Sequence, residues 1–250
     1  MGARVARGFG QYGGVARAVE RVGERWALLI VRDLLAGARR YSDLKAGLPR
    51  IPTNILSDRL RELQDAGVVR RVPVVRGGYE LTELGRALEP VVLALERWGW
   101  STLGEPGDGE VLTADALAVS LRAAFQAEVA AAMPPTEYVL HVGETSVSAL
   151  VAARTLDVMP IGSGAIPQPR ARMAAAPVAD VLELLVAPAA FRDLLTDASA
   201  LRANALGDGP TVLVGGPALV DRFHRTFRIV TVGPAGEAAA GAGAGEASVA

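Results

Sequence analysis

The sequence contains no cysteine. Disulfides, thiolate metal sites, cysteine nucleophiles and thiol redox sensing are therefore excluded by composition. Histidine is nearly as scarce, because His141 and His224 are the whole complement and stand far apart without ligand patterning. No metal site and no cofactor are expected from them. Aromatic residues make up only 5% of the chain. Half of the residues are hydrophobic, yet no run approaches the roughly 20 apolar residues of a membrane-spanning helix. The N-terminal arginines are followed by no apolar stretch, so they do not read as a secretory signal. A soluble, cytoplasmic protein is expected.

What is present is charge, unevenly placed. The net charge of -1 hides a division at residue 100, before which 17 Arg or Lys face 11 Asp or Glu, a balance of +6. After it the balance is -7, from 9 basic and 16 acidic residues. A basic part joined to an acidic part suggests one unit for a polyanion and another for something else. The length of 250 residues suits two domains, each with its own core.

Periodicity organises the basic part. Val15, Val19, Val22, Trp26, Leu29, Ile30 and Leu34 recur at helical spacing, with Gly23 dividing them into two helices. A short third helix is predicted over Tyr41 to Leu48, with Ser42 and Asp43 as possible caps and Pro49 after it. A fourth runs from Pro52 to Ala66 and stops at Gly67. It places Leu56, Leu60 and Leu63 on one side and Asn54, Ser57, Asp58, Arg61 and Asp65 on the other. Val68 to Val75, the Arg76-Gly77-Gly78 turn signal and Tyr79 to Leu81 predict a β-hairpin. Thr82 then caps a long apolar-striped helix reaching Trp98.

Helix, helix, short helix, helix, hairpin, helix is the order of a winged helix-turn-helix. Residues 13–99 also resemble the HxlR family of bacterial regulators. The resemblance is carried by Gly23-Glu24-Arg25-Trp26, Tyr41-Ser42-Asp43-Leu44, Leu56-Ser57-Asp58-Arg59-Leu60 and Tyr79-Glu80-Leu81-Thr82. It implies a regulator that binds double-stranded operator DNA as a homodimer, with the first and last helices of the unit pairing two subunits. Many members carry a cysteine just before the first helix, and Gly13 stands there in this chain.

DNA binding needs cations around whatever element enters the groove. Between Gly37 and Gly78 nine basic residues face four acidic ones. The candidate contacts are Arg39, Arg40 and Lys45 around the short helix and Arg70, Arg71 and Arg76 on the hairpin, which would form the wing. On the fourth helix Asn54 is suited to adenine, Arg61 to guanine, and Ser57 to a base or phosphate. Asp58 either accepts from cytosine or pairs within the protein, with Arg61 or Arg40. Thr53 is either a contact or the helix cap.

The fold class expected for the whole chain is α+β: residues 1–100 a winged helix-turn-helix, 101–110 a linker, 111–232 a second domain, and 233–250 a disordered Ala/Gly tail. In the second domain a helix is predicted over Leu112 to Met133 and strands over Glu137–Val142, Ser146–Ala152 and Thr155–Ile161. Helices over Val178–Val186, Pro188–Leu195 and Pro217–Phe227 follow, with a strand at Thr211–Val214. Leu112–Phe125 and Gly216–Phe227 resemble the two ends of the sterol carrier protein type-two fold, which encloses apolar ligands between a small sheet and its helices. No catalytic constellation stands out, so an enzyme is not expected. A ligand cavity is expected to draw on Phe125, Met133, Tyr138, Met159, Met173, Phe191, Phe223 and Phe227, with His141 or His224 as polar handles. Trp98 and Trp100 join these candidates from the junction, or serve the dimer. Core packing competes for every one of them. The functional expectation is a regulator responsive to an apolar small molecule; the alternative is a protein that sequesters such a molecule and carries a vestigial DNA-binding module.

Overall fold

A computed structural model describes residues 8–72, 78–161, 178–197 and 210–231. The basic part begins with two helices, α1 (Gly14–Val22) and α2 (Ala27–Leu35), separated at Gly23. Trp26 bridges them with φ +81°, a left-handed conformation that a bulky side chain adopts only under constraint. The two-residue strand β1 (Arg39–Arg40) leads into α3 (Tyr41–Gly47), and α4 (Thr53–Asp65) follows. Asp43 works as expected at the start of α3, its carboxylate accepting from the Arg40 amide at 3.0 Å. Ser42 makes no cap there, its hydroxyl donating instead to Asp43. The chain leaves α4 through Gly67 at φ +72°, which glycine alone adopts without strain.

Strands β2 (Val69–Val72) and β3 (Gly78–Leu81) form the hairpin, and β1 pairs with β3 to complete a three-stranded antiparallel sheet. Thr82 caps as predicted, accepting from the Gly85 amide. The helix it starts is not continuous, however: α5 (Glu83–Arg86) ends and α6 (Glu89–Trp100) begins anew. Pro90 explains the break, since its ring excludes a continued helix but fits the first turn of a new one.

The remaining chain is a sheet with helices packed on it. Helix α7 (Ala114–Ala124) is capped by Thr113, whose side chain accepts from the Ala116 amide. The predicted run to Met133 is interrupted, because Phe125 turns extended and bridges Phe227 before the single turn α8 (Ala127–Ala130). Gln126 holds that break, donating from Nε2 to the carbonyls of Ala124 and Arg228. Strands β4 (Thr136–Val142), β5 (Thr145–Ala152) and β6 (Thr155–Ile161) form an antiparallel meander. Residues Asp180–Val186, expected to be helical, are instead strand β7, parallel to β4. Leu182, Leu184 and Val186 are buried there while Val181 and Leu185 are exposed, an alternation of period two. A 3₁₀ turn (Pro188–Ala190), α9 (Phe191–Thr196), β8 (Thr211–Val214) and α10 (Pro217–Thr226) complete the described elements. The sheet order is β6-β5-β4-β7-β8.

Two hydrophobic clusters result. One joins α2, α3, α4 and the small sheet through Ile30, Leu44, Leu56, Leu60, Leu63 and Leu81. The other lies between the large sheet and α7, α9 and α10. They exchange members at their boundary: Trp100 of α6 belongs to the second cluster, and Val119 of α7 to the first. The stretch 101–110 carries only turns and is tied back where Arg50 donates to the Asp108 carbonyl at 3.3 Å. Among the described residues no helix is long and apolar enough to cross a membrane.

Candidate nucleic-acid interface and junction cavity

The interface is built on α4. Its buried side, Leu56, Leu60 and Leu63, locks into the first cluster, so the opposite side is fixed outward: Asn54, Ser57 and Arg61 are exposed. Tyr41 pins the start of α4 to α3, its hydroxyl donating to the Thr53 carbonyl at 2.8 Å and lying 3.2 Å from Ser57 Oγ. Ser57 Oγ also donates to that carbonyl, at 3.1 Å. Thr53 does not cap the helix; it is the first helical residue, and Pro52 occupies the cap position. Asp58 takes the intramolecular option, pairing with Arg61 at 2.7 Å on the exposed surface. Arg59 turns sideways to Glu62 and Glu24.

Around this helix Arg40 is exposed, and Lys45 reaches the Pro49 carbonyl at 3.4 Å. On the hairpin Arg70 pairs with Glu80 at 2.7 Å, leaving its other nitrogens at the surface. Arg71 donates to the Tyr79 hydroxyl at 3.2 Å and lies 5.4 Å from that ring's centroid. Arg76 lies outside the described residues. Arg39 does not fit the predicted set. It is only 4% exposed and grips Asp115 at the start of α7 in a two-pronged ion pair of 2.5 and 3.2 Å. Buried to that degree, with Nε and Nη2 on Asp115 and Nη1 on the Ala38 carbonyl, the guanidinium is turned away from any phosphate at the surface. Sequence alone missed this pairing, because the partner stands 76 residues away.

Next to that pair lies Asp33, fully buried on α2. Its Oδ1 accepts from Arg32 at 2.8 Å, and its Oδ2 has no hydrogen-bond partner among the described residues. Burial pushes its pKa up to about 7; Arg32 pulls the other way, and the Asp115 carboxylate adds to the rise.

The candidate ligand residues of the second unit divide three ways. Tyr138, Phe223 and Phe227 interlock with ring centroids 5.0 to 5.5 Å apart, and Phe125 packs on Phe227 at 6.0 Å. These residues fill a core rather than line a space, and burial raises the pKa of the Tyr138 hydroxyl. Met133, Met159 and His224 are half-buried and Trp98 is 68% exposed, and none of the four lines the large cavity; Met173 lies outside the described residues. His141 sits on the other side of the sheet, its Nδ1 2.7 Å from Ser146 Oγ and its Nε2 2.7 Å from Glu183 Oε1. Strand register brings these three together, a cluster that sequence reading did not anticipate.

Only Trp100 and Phe191 line the large cavity. With a volume of about 930 Å³, it opens between the two units rather than inside the second, walled by α2 and α6 on one side and by α7 and the β4–β5 turn on the other. Its residues come from four separate stretches of chain, which no local pattern connects.

Known proteins place the first unit. Residues 21–106 match the HxlR-like helix-turn-helix family. The HTH-type transcriptional regulator YvaP of Bacillus subtilis is 41% identical over 86 residues, which are 33% of this chain and 80% of YvaP. The regulator Mb3122 of Mycobacterium bovis is 45% identical over 96 residues, and the chain spans 60% of its length. The solved structure of quinone-bound YodB from B. subtilis is 31% identical, aligning 36% of this chain with 97% of YodB at a TM-score of 0.33. With four-fifths of YvaP matched at that identity, the chain belongs to the HxlR-like helix-turn-helix family and is a transcriptional regulator of that kind.

Proposed function

We propose that the protein binds a pseudo-palindromic operator as a homodimer and answers to an apolar small molecule held by the chain beyond residue 100. The observation that carries the DNA reading is the outward side of α4, where Asn54, Ser57 and Arg61 are exposed while the opposite side is sealed in the core. Such a helix lies in the major groove, with base contacts from its first turns and phosphates gripped from the flanks. Arg40, Lys45, Arg70 and Arg71 are the described cations on those flanks.

Dimerisation is supported by the apolar residues that α1 and α6 leave in water. Val15 and Val19 are exposed on α1, and Val91, Leu95 and Trp98 form a stripe at four- and three-residue spacing on α6. A twofold pair joined there would present two copies of α4 to successive turns of the same DNA face. The second unit, helix then sheet then helix, suits a sterol-carrier-like role in holding an apolar ligand, and the reading assigns it no catalytic step. The protein would work in the cytoplasm, at the nucleoid when bound to DNA.

The test is binding to the promoter next to its own gene, measured by gel shift against nonspecific competitor. The wild type is expected to give a competitor-resistant complex. Asn54→Ala and Arg61→Ala are each expected to weaken it by about 1 to 3 kcal/mol. Absence of any competitor-resistant complex would instead favour a sequestering protein whose DNA module is vestigial.

A further inference from the structure

The cavity between the two units has the size of a small-molecule site, and its wall chemistry is selective. Its apolar surface includes Leu29 and Leu95 from the DNA-binding side and Phe191 from the other. Trp100 stands edge-to-face against Phe191, ring centroids 5.6 Å apart and planes at 70°. The charged residues on the wall are unbalanced. Four carboxylates, those of Glu96, Glu105, Glu110 and Glu144, face two guanidiniums, those of Arg32 and Arg192. Arg32 is tied back to Asp33 of its own helix at 2.7 Å, and even with its charge counted in full the wall carries more carboxylates than guanidiniums. Glu96 is oriented by donors from both units: Trp100 Nε1 at 3.0 Å and Ser120 Oγ at 2.6 Å, both to the same oxygen, Oε1.

A carboxylate fixed beside an indole, in a cavity with apolar walls and an excess of negative charge, matches one ligand class. An organic cation with a bulky apolar body would place its charge near Glu96 and its body against the leucines and the Trp100–Phe191 pair. An apolar anion of the same shape would meet the same walls and the opposite field.

We propose that this cavity is the effector site and that its ligand is an apolar organic cation. The proposal rests on the small-molecule-responsive reading above, and moves the site from the interior of the second unit to the junction. Position supplies the coupling. Leu95 is both a cavity wall and a member of the exposed α6 stripe, and Leu29 stands on α2 of the reader's core. A ligand that binds one arrangement of the two units more tightly than another shifts the spacing of paired α4 helices by that difference in affinity.

The experiment uses the full-length protein and two probes of one shape, tetraphenylphosphonium and tetraphenylborate, titrated by calorimetry. Tetraphenylphosphonium is expected to bind once per chain, at least about tenfold tighter than tetraphenylborate. Glu96→Gln keeps the acceptor for Trp100 and Ser120 while removing the charge, and is expected to weaken the cation roughly tenfold with little change in the anion. Glu144→Gln, at the exposed β4–β5 turn where the core is untouched, is expected to weaken it about two- to threefold. Equal or tighter binding of tetraphenylborate, no binding of the cation, or wild-type affinity in both variants would overturn the site. Operator affinity measured at saturating cation separates the two readings. A several-fold change supports the effector role, and no change overturns that role while the cation site stands. Failure of the protein to bind its promoter both with and without saturating cation would remove the regulator reading alone.

Discussion

The two units of this protein keep their functional chemistry in opposite places. In the DNA-binding unit the interior is largely aliphatic and polar side chains project from a rigid helix, so the proposed DNA-contacting surface is the outer side of α4. In the second unit the large rings turn inward: Tyr138, Phe223 and Phe227 pack on one another and leave no room for a guest. Among the described residues, the large cavity opens where the units meet. The difference teaches that an aromatic residue in an acidic, apolar domain identifies a binding wall only if its ring borders open space, as those of Trp100 and Phe191 do, rather than being enclosed by other side chains.

The sharpest break of that comparison is Phe223→Ala. If the ring is core, its removal lowers stability by about 3 to 5 kcal/mol in chemical denaturation and leaves ligand affinity in the folded protein unchanged. A Phe223 that instead lined a site would lose affinity with little loss of stability. Asp33 probes the seam by pH. Its folded pKa of about 7 lies above the ordinary 3.8, so the folded state holds a proton that the unfolded state has released between those values. Stability from this group is therefore present below about pH 4 and is lost as pH rises through 7, by up to about 4 kcal/mol. Asp33→Asn is expected to flatten that slope, seen in melting temperatures collected from pH 4 to 8.

Adjacent arginines sharpen the contrast further. Arg39→Ala strips Asp115 of its buried partner and is expected to destabilise the fold by roughly 3 kcal/mol. Arg40→Ala, one residue on and exposed, is expected to leave stability within about 0.5 kcal/mol. It should weaken DNA binding evenly across sequences and reduce the salt slope by about 1. Fluorescence anisotropy at several salt concentrations, beside denaturation of the same two variants, distinguishes the roles. Equal salt slopes for both would return Arg39 to the DNA surface.

Much of the reader was legible because its signals are local. Gly23, Thr82 and Gly67 punctuate the helices where the sequence puts them, and the two-sided pattern of 53–65 predicts which side of α4 faces out. Most of the failures involve a distant partner. Arg39 looked like its neighbour Arg40 until Asp115 came beside it. Asp180–Val186 looked helical because leucines dominate it, while its true period of two follows from pairing with β4, some forty residues earlier. Phe125 leaves α7 because it meets Phe227, and Pro90 restarts a helix that apolar spacing alone would have run through. The cavity is the extreme case, assembled from four stretches whose only common property is their final position.

The exchange of Trp100 and Val119 between the two clusters makes each half depend on the other for a complete interior. A chain cut after residue 100 would leave an indole wet, remove a valine from the core of the DNA-binding half, and strand a buried guanidinium without its counter-ion. Each half therefore completes the other's interior: the DNA-binding unit packs around a side chain supplied by α7, and the second unit around one supplied by α6.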